Sequence, residues 1–205
     1  MAFANRNRRP PRTLSTAEVA KILRVSGEHR EGFRDHVIMS LALGAALRES
    51  EIVALDVPDV AHQVDGRLVV KRTLQLRVFK RGGGHADPKA QRVPLSDAAF
   101  YKLEKYLRVT KLTDGPLFRS RSGGGRLSTR MVRLMFRTWQ RRAAFDHLYP
   151  FHSLRHTSIT NIYRQSNNDV LAAKVFARHA NLDSTQIYTE PSDEDVRLAA
   201  KGLPS

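Results

Sequence analysis

His152-Ser153-Leu154-Arg155-His156, followed by Arg178-His179-Ala180-Asn181-Leu182-Asp183-Ser184-Thr185-Gln186-Ile187-Tyr188-Thr189, is the stretch on which the reading of this chain turns. On a helix, His152 and Arg155 share one face, because residues three apart are neighbours on its surface. Further along, His179 precedes Tyr188 by nine residues. These residue types, in this order, suit covalent attack on a phosphodiester by a tyrosine, with histidines and arginines managing protons and charge. Such chemistry needs no metal.

Cleavage through a covalent intermediate requires a nucleophile, positive donors for the non-bridging oxygens and an acid for the departing oxygen. Arginine suits the second task, since its rigid fork binds two phosphate oxygens at once and keeps its charge. Arg155 is one candidate. Arg48 is the other, upstream in Ala45-Ala46-Leu47-Arg48-Glu49-Ser50-Glu51-Ile52, where apolar neighbours on both sides imply a guanidinium emerging from the core into a confined site. Tyr188 is the candidate nucleophile. A phenol with a pKa near 10 is only about one part in a thousand phenolate at pH 7, so it needs a base or an electrostatic bias. His152 or His179 can act as that base or as a phosphate donor.

Composition agrees with a polyanionic partner. The chain has 205 residues, 41% of them apolar, which is enough for one domain with its own core. Its 35 Lys and Arg against 20 Asp and Glu give a net charge of +15, favouring nucleic acid over a small neutral ligand. Arginine is spread along the whole chain rather than gathered on one amphipathic helix, which argues against a membrane surface. The longest apolar run, Val37 to Leu47, is too short to span a bilayer. There is no cysteine, so disulfides, a thiolate nucleophile and a cysteine-type zinc site are excluded. Residues 1–12, with Asn5-Arg6-Asn7-Arg8-Arg9-Pro10-Pro11-Arg12, read as a flexible basic arm, either idle or in contact with phosphates.

Local patterns predict the elements. Ser15-Thr16-Ala17-Glu18 is a capping box, so a first helix starts near residue 16. Helical spacing continues from about Phe33 to Leu47 and from Glu49 to Leu55. Between Ala61 and Leu95 the pattern becomes strand-like, with Asp65-Gly66 as a hairpin turn and Arg92-Val93-Pro94-Leu95 pairing back after a glycine-rich loop. Helices return at Asp97–Val109, at Ser128–Ala144 with Ser128 as N-cap, and from Ser153 onward with breaks near Asn167-Asn168 and Asn181 to Asp183. The fold class is α+β: mainly helical, with a small three-stranded antiparallel sheet. Trp139, among Met131, Leu134 and Met135, reads as part of a core stripe, and Tyr101, Tyr106, Tyr149 and Tyr163 as packing residues.

Taken together, Ala46-Leu47-Arg48-Glu49-Ser50-Glu51, His152-Ser153-Leu154-Arg155-His156 and the segment from Arg178 to Thr189 resemble the catalytic domain of tyrosine recombinases, also called phage integrases. The resemblance extends from about Thr13 to the C-terminus and includes the hairpin. It implies that Arg48, His152, Arg155 and His179 bind and activate a scissile phosphate in double-stranded DNA and that Tyr188 attacks it. The product is a 3′-phosphotyrosyl link and a free 5′-hydroxyl, formed without ATP, metal or other cofactor. It also implies a lysine general acid at the sheet's hairpin. Lys80, at a strand end, is better preorganised for this than Lys89, which lies in the loop. Glu51 is read as an orienting partner of Arg48, because a carboxylate touching phosphate would repel it. His156 is read as a supporting residue. The spacing of His152 and His156, with His179 as a third ligand, also suits zinc, but the resemblance accounts for His152 and His179 without one.

The resemblance further implies a site-specific recombinase that is monomeric in solution and tetrameric on DNA. A C-terminal helix over residues 192–203 would pass to a neighbouring protomer, the alternative being packing on its own domain. A cytoplasmic, nucleoid-associated protein of a prokaryotic-type cell is implied, with no membrane partner. The expected organisation is the arm over 1–12 and a single catalytic domain over 13–205, with the family's N-terminal core-binding domain absent. One departure stands out. Arg178 occupies the place of the family's usual glycine, and since glycine alone adopts positive φ freely, a different local turn is expected. Two other readings of the same residues are a DNA-binding accessory protein with little catalysis and strand swivelling of the type IB topoisomerase kind.

Overall fold

In the computed structural model, which describes residues 12–76, 91–121 and 123–179, the first helix, α1 (Thr16–Glu28), starts at the expected capping box. Ser15 Oγ accepts the Glu18 N–H at 3.2 Å, and the Glu18 carboxylate accepts the Ser15 N–H at 2.8 Å. Two backbone donors that a helix end leaves orphaned are thereby satisfied. The central element is α2 (Phe33–Gly44), in which Val37, Ile38, Met39, Leu41 and Ala42 are all fully buried. Around it pack α1, α5 (Asp97–Thr110) and α7 (His152–Gln165).

The end of α2 decides where the first sequence block sits. The helix stops at Gly44 rather than continuing to Leu47, because α5 presses against the chain there. A β-carbon at Gly44 would run into Ser96 Oγ and lie 2.8 Å from Ala99 Cβ. Ala45 closes the helix by donating to Leu41 O at 3.1 Å, and Ala46 then turns the chain with φ 45°. Ala45, Ala46 and Leu47 are fully buried, so core packing holds this turn in place. It delivers Arg48 to the start of α3 (Glu49–Ala54). A further short helix, α4 (Val57–Val60), was not expected; the Asp56 N–H donates to the Asp59 carboxylate at 2.8 Å across its first turn.

The sheet differs from the three-stranded one expected. Among the described residues there are two antiparallel ladders of two strands each: β1 (Ala61–Val64) with β2 (Arg67–Val70), and β3 (Thr73–Leu76) with β4 (Gln91–Pro94). The reason lies at Lys71 and Arg72, where the chain changes partners. The Lys71 N–H donates to Val60 O at 2.8 Å on the first ladder's side, and Arg72 O accepts from Leu95 N–H at 3.0 Å on the second's. Asp65 (φ 48°) and Gly66 (φ 74°) form the expected two-residue turn, with Val64 opposite Arg67. Positive φ at both central positions matches the right-handed twist of the strands.

Ser128 caps α6 (Thr129–Arg142) as expected, accepting the Met131 N–H at 3.2 Å. Its buried stripe is Val132, Met135, Phe136 and Trp139, and Trp139 Nε1 donates to Asp35 at 3.1 Å. Met131 and Leu134, expected in that stripe, are instead 46% exposed: Leu134 lies two residues from both Val132 and Phe136 and so off the stripe, while Met131 flanks it one turn before Met135 at the start of the helix. Tyr101 is likewise exposed rather than packed, whereas Tyr106 is buried against Phe118. After α7, Asn167 and Asn168 both take positive φ and reverse the chain into α8 (Val170–Ala177). Ala46, Ile159, Ala173 and Ala177 form a second small core where α7, α8 and the turn after α2 meet. No helix among the described residues is long and apolar enough to cross a membrane.

Candidate active site

That second core is the floor of the site. At its first corner, the start of α3, the Glu51 carboxylate accepts the Arg48 backbone N–H and the Arg48 Nη1–H, each at 2.7 Å. One side chain thus caps the helix and aims the guanidinium, whose side chain remains 38% exposed. Glu51 therefore sits where an orienting partner of Arg48 was expected.

At the second corner, α7 begins with His152, on the exposed side, and sends Arg155 inward. Arg155 is the largest fully buried side chain among the described residues, 1% exposed, and donates through Nη1 to Ala46 O and through Nη2 to Ala177 O. One guanidinium thereby joins the turn before Arg48 to the turn before His179. His156, one turn after His152, meets its ring edge-on with centroids 4.5 Å apart.

The third corner is the end of α8, and here an expectation is overturned. Arg178 takes the left-handed conformation itself, φ 55° and ψ 44°, as the helix C-cap. Such a backbone costs a residue with a β-carbon roughly 1–2 kcal/mol relative to glycine. The side chain supplies the offset. Arg178 Nη2 donates to Glu51 Oε2 at 2.8 Å and to Ala46 O at 3.2 Å, and Nη1 to Ala45 O at 3.3 Å and Phe176 O at 3.4 Å. The turn is therefore kept, and the residue that follows, His179, donates its backbone N–H to Lys174 O at 3.2 Å.

The electrostatics follow from this gathering of cations. Burial, then the nearby Arg155, Arg48, Arg178 and His152, push His179 down to about 4. Burial, His152, Arg155 and His179 likewise bring His156 to about 4, and burial with Arg155 and Arg48 lowers His152. All three are thus neutral imidazoles at neutral pH. Burial alone would raise Glu51, yet Arg178, the Arg48 backbone N–H and the Arg48 guanidinium hold it below the usual carboxylate range. Two guanidiniums on one carboxylate, with Arg155 held on backbone carbonyls close to the same histidines, leave a site with surplus positive charge, suited to an anion. Among the described residues, no three His, Cys, Asp or Glu side chains are grouped as a metal would require.

Arg48, Glu51, His152, Arg155, His156 and His179 are thus brought together from three segments, while Tyr188, Lys80 and Lys89 lie outside the described residues, as do the arm up to residue 11 and the segment 192–203. Sequence reasoning missed Arg178 as a member of the group. Its signal was the departure itself: a bulky cation where a turn wants glycine.

The sequence pattern of the phage integrase family matches residues 12–195. The chain belongs to the phage integrase family. Among curated relatives, this integrase-family chain is 35% identical over 192 residues to tyrosine recombinase XerC of Vibrio vulnificus (strain YJ016), covering 91% of its own length and 55% of the relative's. It is 30% identical over 183 residues to XerC of Proteus mirabilis, covering 87% of itself and 54% of that protein. The chain thus spans about half the length of the curated relatives it matches. Its fold is that of the XerA recombinase, with a TM-score of 0.75 at 21% identity, covering all of this chain and 68% of that one. It is also that of the XerH site-specific recombinase bound to palindromic difH substrate in a post-cleavage complex, with a TM-score of 0.71 at 20% identity, covering 96% of this chain and 54% of that one.

Proposed function

We propose that the chain is the catalytic part of a site-specific DNA recombinase that cuts and rejoins DNA through Tyr188. The observation that carries this reading is the convergence of Arg48, His152, Arg155 and His179 from three distant segments onto one positive site, on elements locked by buried hydrogen bonds. Arg48 and Arg155 bind the non-bridging oxygens of the scissile phosphate, and the neutral imidazoles of His152 and His179 lie beside it as donors or acceptors. Tyr188 Oη attacks phosphorus, its proton passing to one of these histidines, and the bond to the 5′ oxygen breaks. Lys80, or Lys89 in its place, protonates that oxygen. The products are a 3′-phosphotyrosyl link and a 5′-hydroxyl. Because a phenol leaves more readily than an alkyl alcohol, a DNA hydroxyl can reverse the attack, and neither ATP nor a metal is needed.

Double-stranded DNA is the proposed substrate, supported by the net charge of +15 and by the transposon right end DNA held by the Tn1549 transposon integrase, which shares the fold with a TM-score of 0.65. A monomer that assembles into a tetramer on its site, with residues 192–203 passed between protomers, completes the reading.

The test is covalent trapping on a nicked suicide duplex carrying the recombination site. Wild-type protein leaves DNA attached, with or without a chelator, and Tyr188→Phe binds the duplex but leaves none. Binding without any wild-type adduct would favour an accessory DNA-binding role instead, and relaxation of any supercoiled plasmid regardless of sequence would favour strand swivelling.

A further inference from the structure

We propose that Arg178 is a positioning residue that ties His179 to Arg48 through Glu51, fixing the spacing between two of the groups that grip the phosphate. This rests on the recombinase reading above. The link is continuous. His179 follows Arg178 directly, Arg178 Nη2 donates to Glu51 Oε2 at 2.8 Å, and Glu51 Oε1 accepts from Arg48 Nη1 at 2.7 Å. The same guanidinium also reaches Ala45 O and Ala46 O, so it grips the turn that carries Arg48 as well as the carboxylate that aims it.

Two features argue that the side chain has a task beyond filling space. Its backbone sits in the left-handed region at φ 55°, where glycine would sit without strain. Its side chain is only 8% exposed, and its Nε–H is buried without a partner. A residue held against both a strained backbone and an unmet donor must draw its gain from the remaining contacts, and those all lead to the α8 turn or the first block. There is an electrostatic consequence. With Arg48 alone, Glu51 would cancel its charge; shared between two guanidiniums, the same carboxylate leaves one positive charge over. Arg48 is thereby both aimed and left able to attract an anion.

The experiment compares Arg178→Met, Arg178→Gly, Arg178→Lys, Glu51→Gln and the Arg178→Met/Glu51→Gln pair in the full chain. Glycine removes the backbone strain, so that variant keeps the fold available for testing. Readouts are the single-turnover rate of adduct formation on the suicide duplex at saturating protein, duplex affinity, and NMR titration of the His179 ring. The expectation is a loss on the order of 10- to 100-fold in rate for methionine and glycine, as misplacement at a reacting centre causes, with affinity within about two-fold, since other phosphate contacts supply most of it. Lysine recovers part of the rate, and the pair loses little more than Glu51→Gln alone, because groups acting as a unit are not additive. The His179 midpoint, set by Arg155 and His152 on α7, Arg48 at α3, and Arg178 and His156 beside it, rises when the Arg178 charge is removed.

A wild-type rate in Arg178→Gly, or losses that multiply in the pair, overturns the proposal. If the wild-type chain forms no adduct, the recombinase reading falls on its own. The titration then decides whether the tether exists: a moved His179 signal in Arg178→Met upholds it, and an unmoved one sinks it.

Discussion

Replacing Arg155 with methionine separates what this residue holds together from what it binds. The guanidinium is 1% exposed and serves Ala46 O and Ala177 O at once. Methionine fills much of the same volume but donates nothing, so Ala177 O loses this donor and Ala46 O keeps only that from Arg178. Each lost hydrogen bond to a charged donor costs about 1.5–3 kcal/mol. The charge no longer has to be buried, which returns part of that cost, so a net loss of about 3 kcal/mol is expected. For a domain of this size each kcal/mol moves Tm by roughly 2–4 °C, which places the drop at about 6–12 °C. Arg155→Lys, whose single ammonium can serve one carbonyl and keeps the charge, falls about half as far. Thermal unfolding followed by far-UV circular dichroism reads both. A methionine variant within about 2 °C of wild type, or a lysine variant less stable than the methionine one, would refute the reasoning that Arg155 braces the two turns.

Stability should also fall with acid in a window set by the buried histidines. His36, lowered by burial and by Lys102 and Lys105, and His156 and His179 all sit near 4 when folded, against 6.5 in the unfolded chain. The unfolded state therefore binds more protons between those values, so their contribution is fully present above about pH 6.5 and declines as pH drops toward about 4, below which the loss continues as Glu18 and Glu51, held under the usual carboxylate range, take up protons. Urea titrations across that range check this, and a flat profile would contradict it. Gly44→Ala is expected to destabilise by about 1–3 kcal/mol, the usual cost of overpacking, because its β-carbon meets Ser96 Oγ and Ala99 Cβ. Equilibrium unfolding by urea measures it, and an unchanged midpoint would mean that α5 can yield.

Elements with a local signature were legible before any coordinates. Ser15 with Glu18, Asp65 with Gly66, and Ser128 each carry their reason within a few residues, and each forms the structure that reason predicts. The early end of α2 was not legible, because it depends on α5 pressing against Gly44 from more than fifty residues away. The antiparallel strands were legible but their grouping was not, because strand propensity at residues 67–76 says nothing about a change of partner at Lys71 and Arg72. By contrast, α4 had a readable signal in Asp56-Val57-Pro58-Asp59, with its cap and early proline. The exposure of Leu134 was also readable, since a stripe through Val132, Met135, Phe136 and Trp139 excludes it.

For the site the division falls elsewhere. Residue types and order singled out Arg48, His152, Arg155 and His179 as candidates, and the fold brings these four together from three segments. Their mutual support was hidden, because it runs through backbone carbonyls, which have no sequence identity. Ala46 O accepts from both Arg155 and Arg178, so an alanine that any reading would pass over becomes the point at which two guanidiniums meet the first block. Arg178 shows the same limit from the other side. The rule that glycine belongs in a left-handed turn describes what the backbone prefers, and contacts made more than a hundred residues away in sequence can outweigh that preference. A departure from an expected residue at such a turn is therefore better treated as a pointer to a new contact than as a defect in the turn. Here that contact leads directly to the carboxylate that orients Arg48.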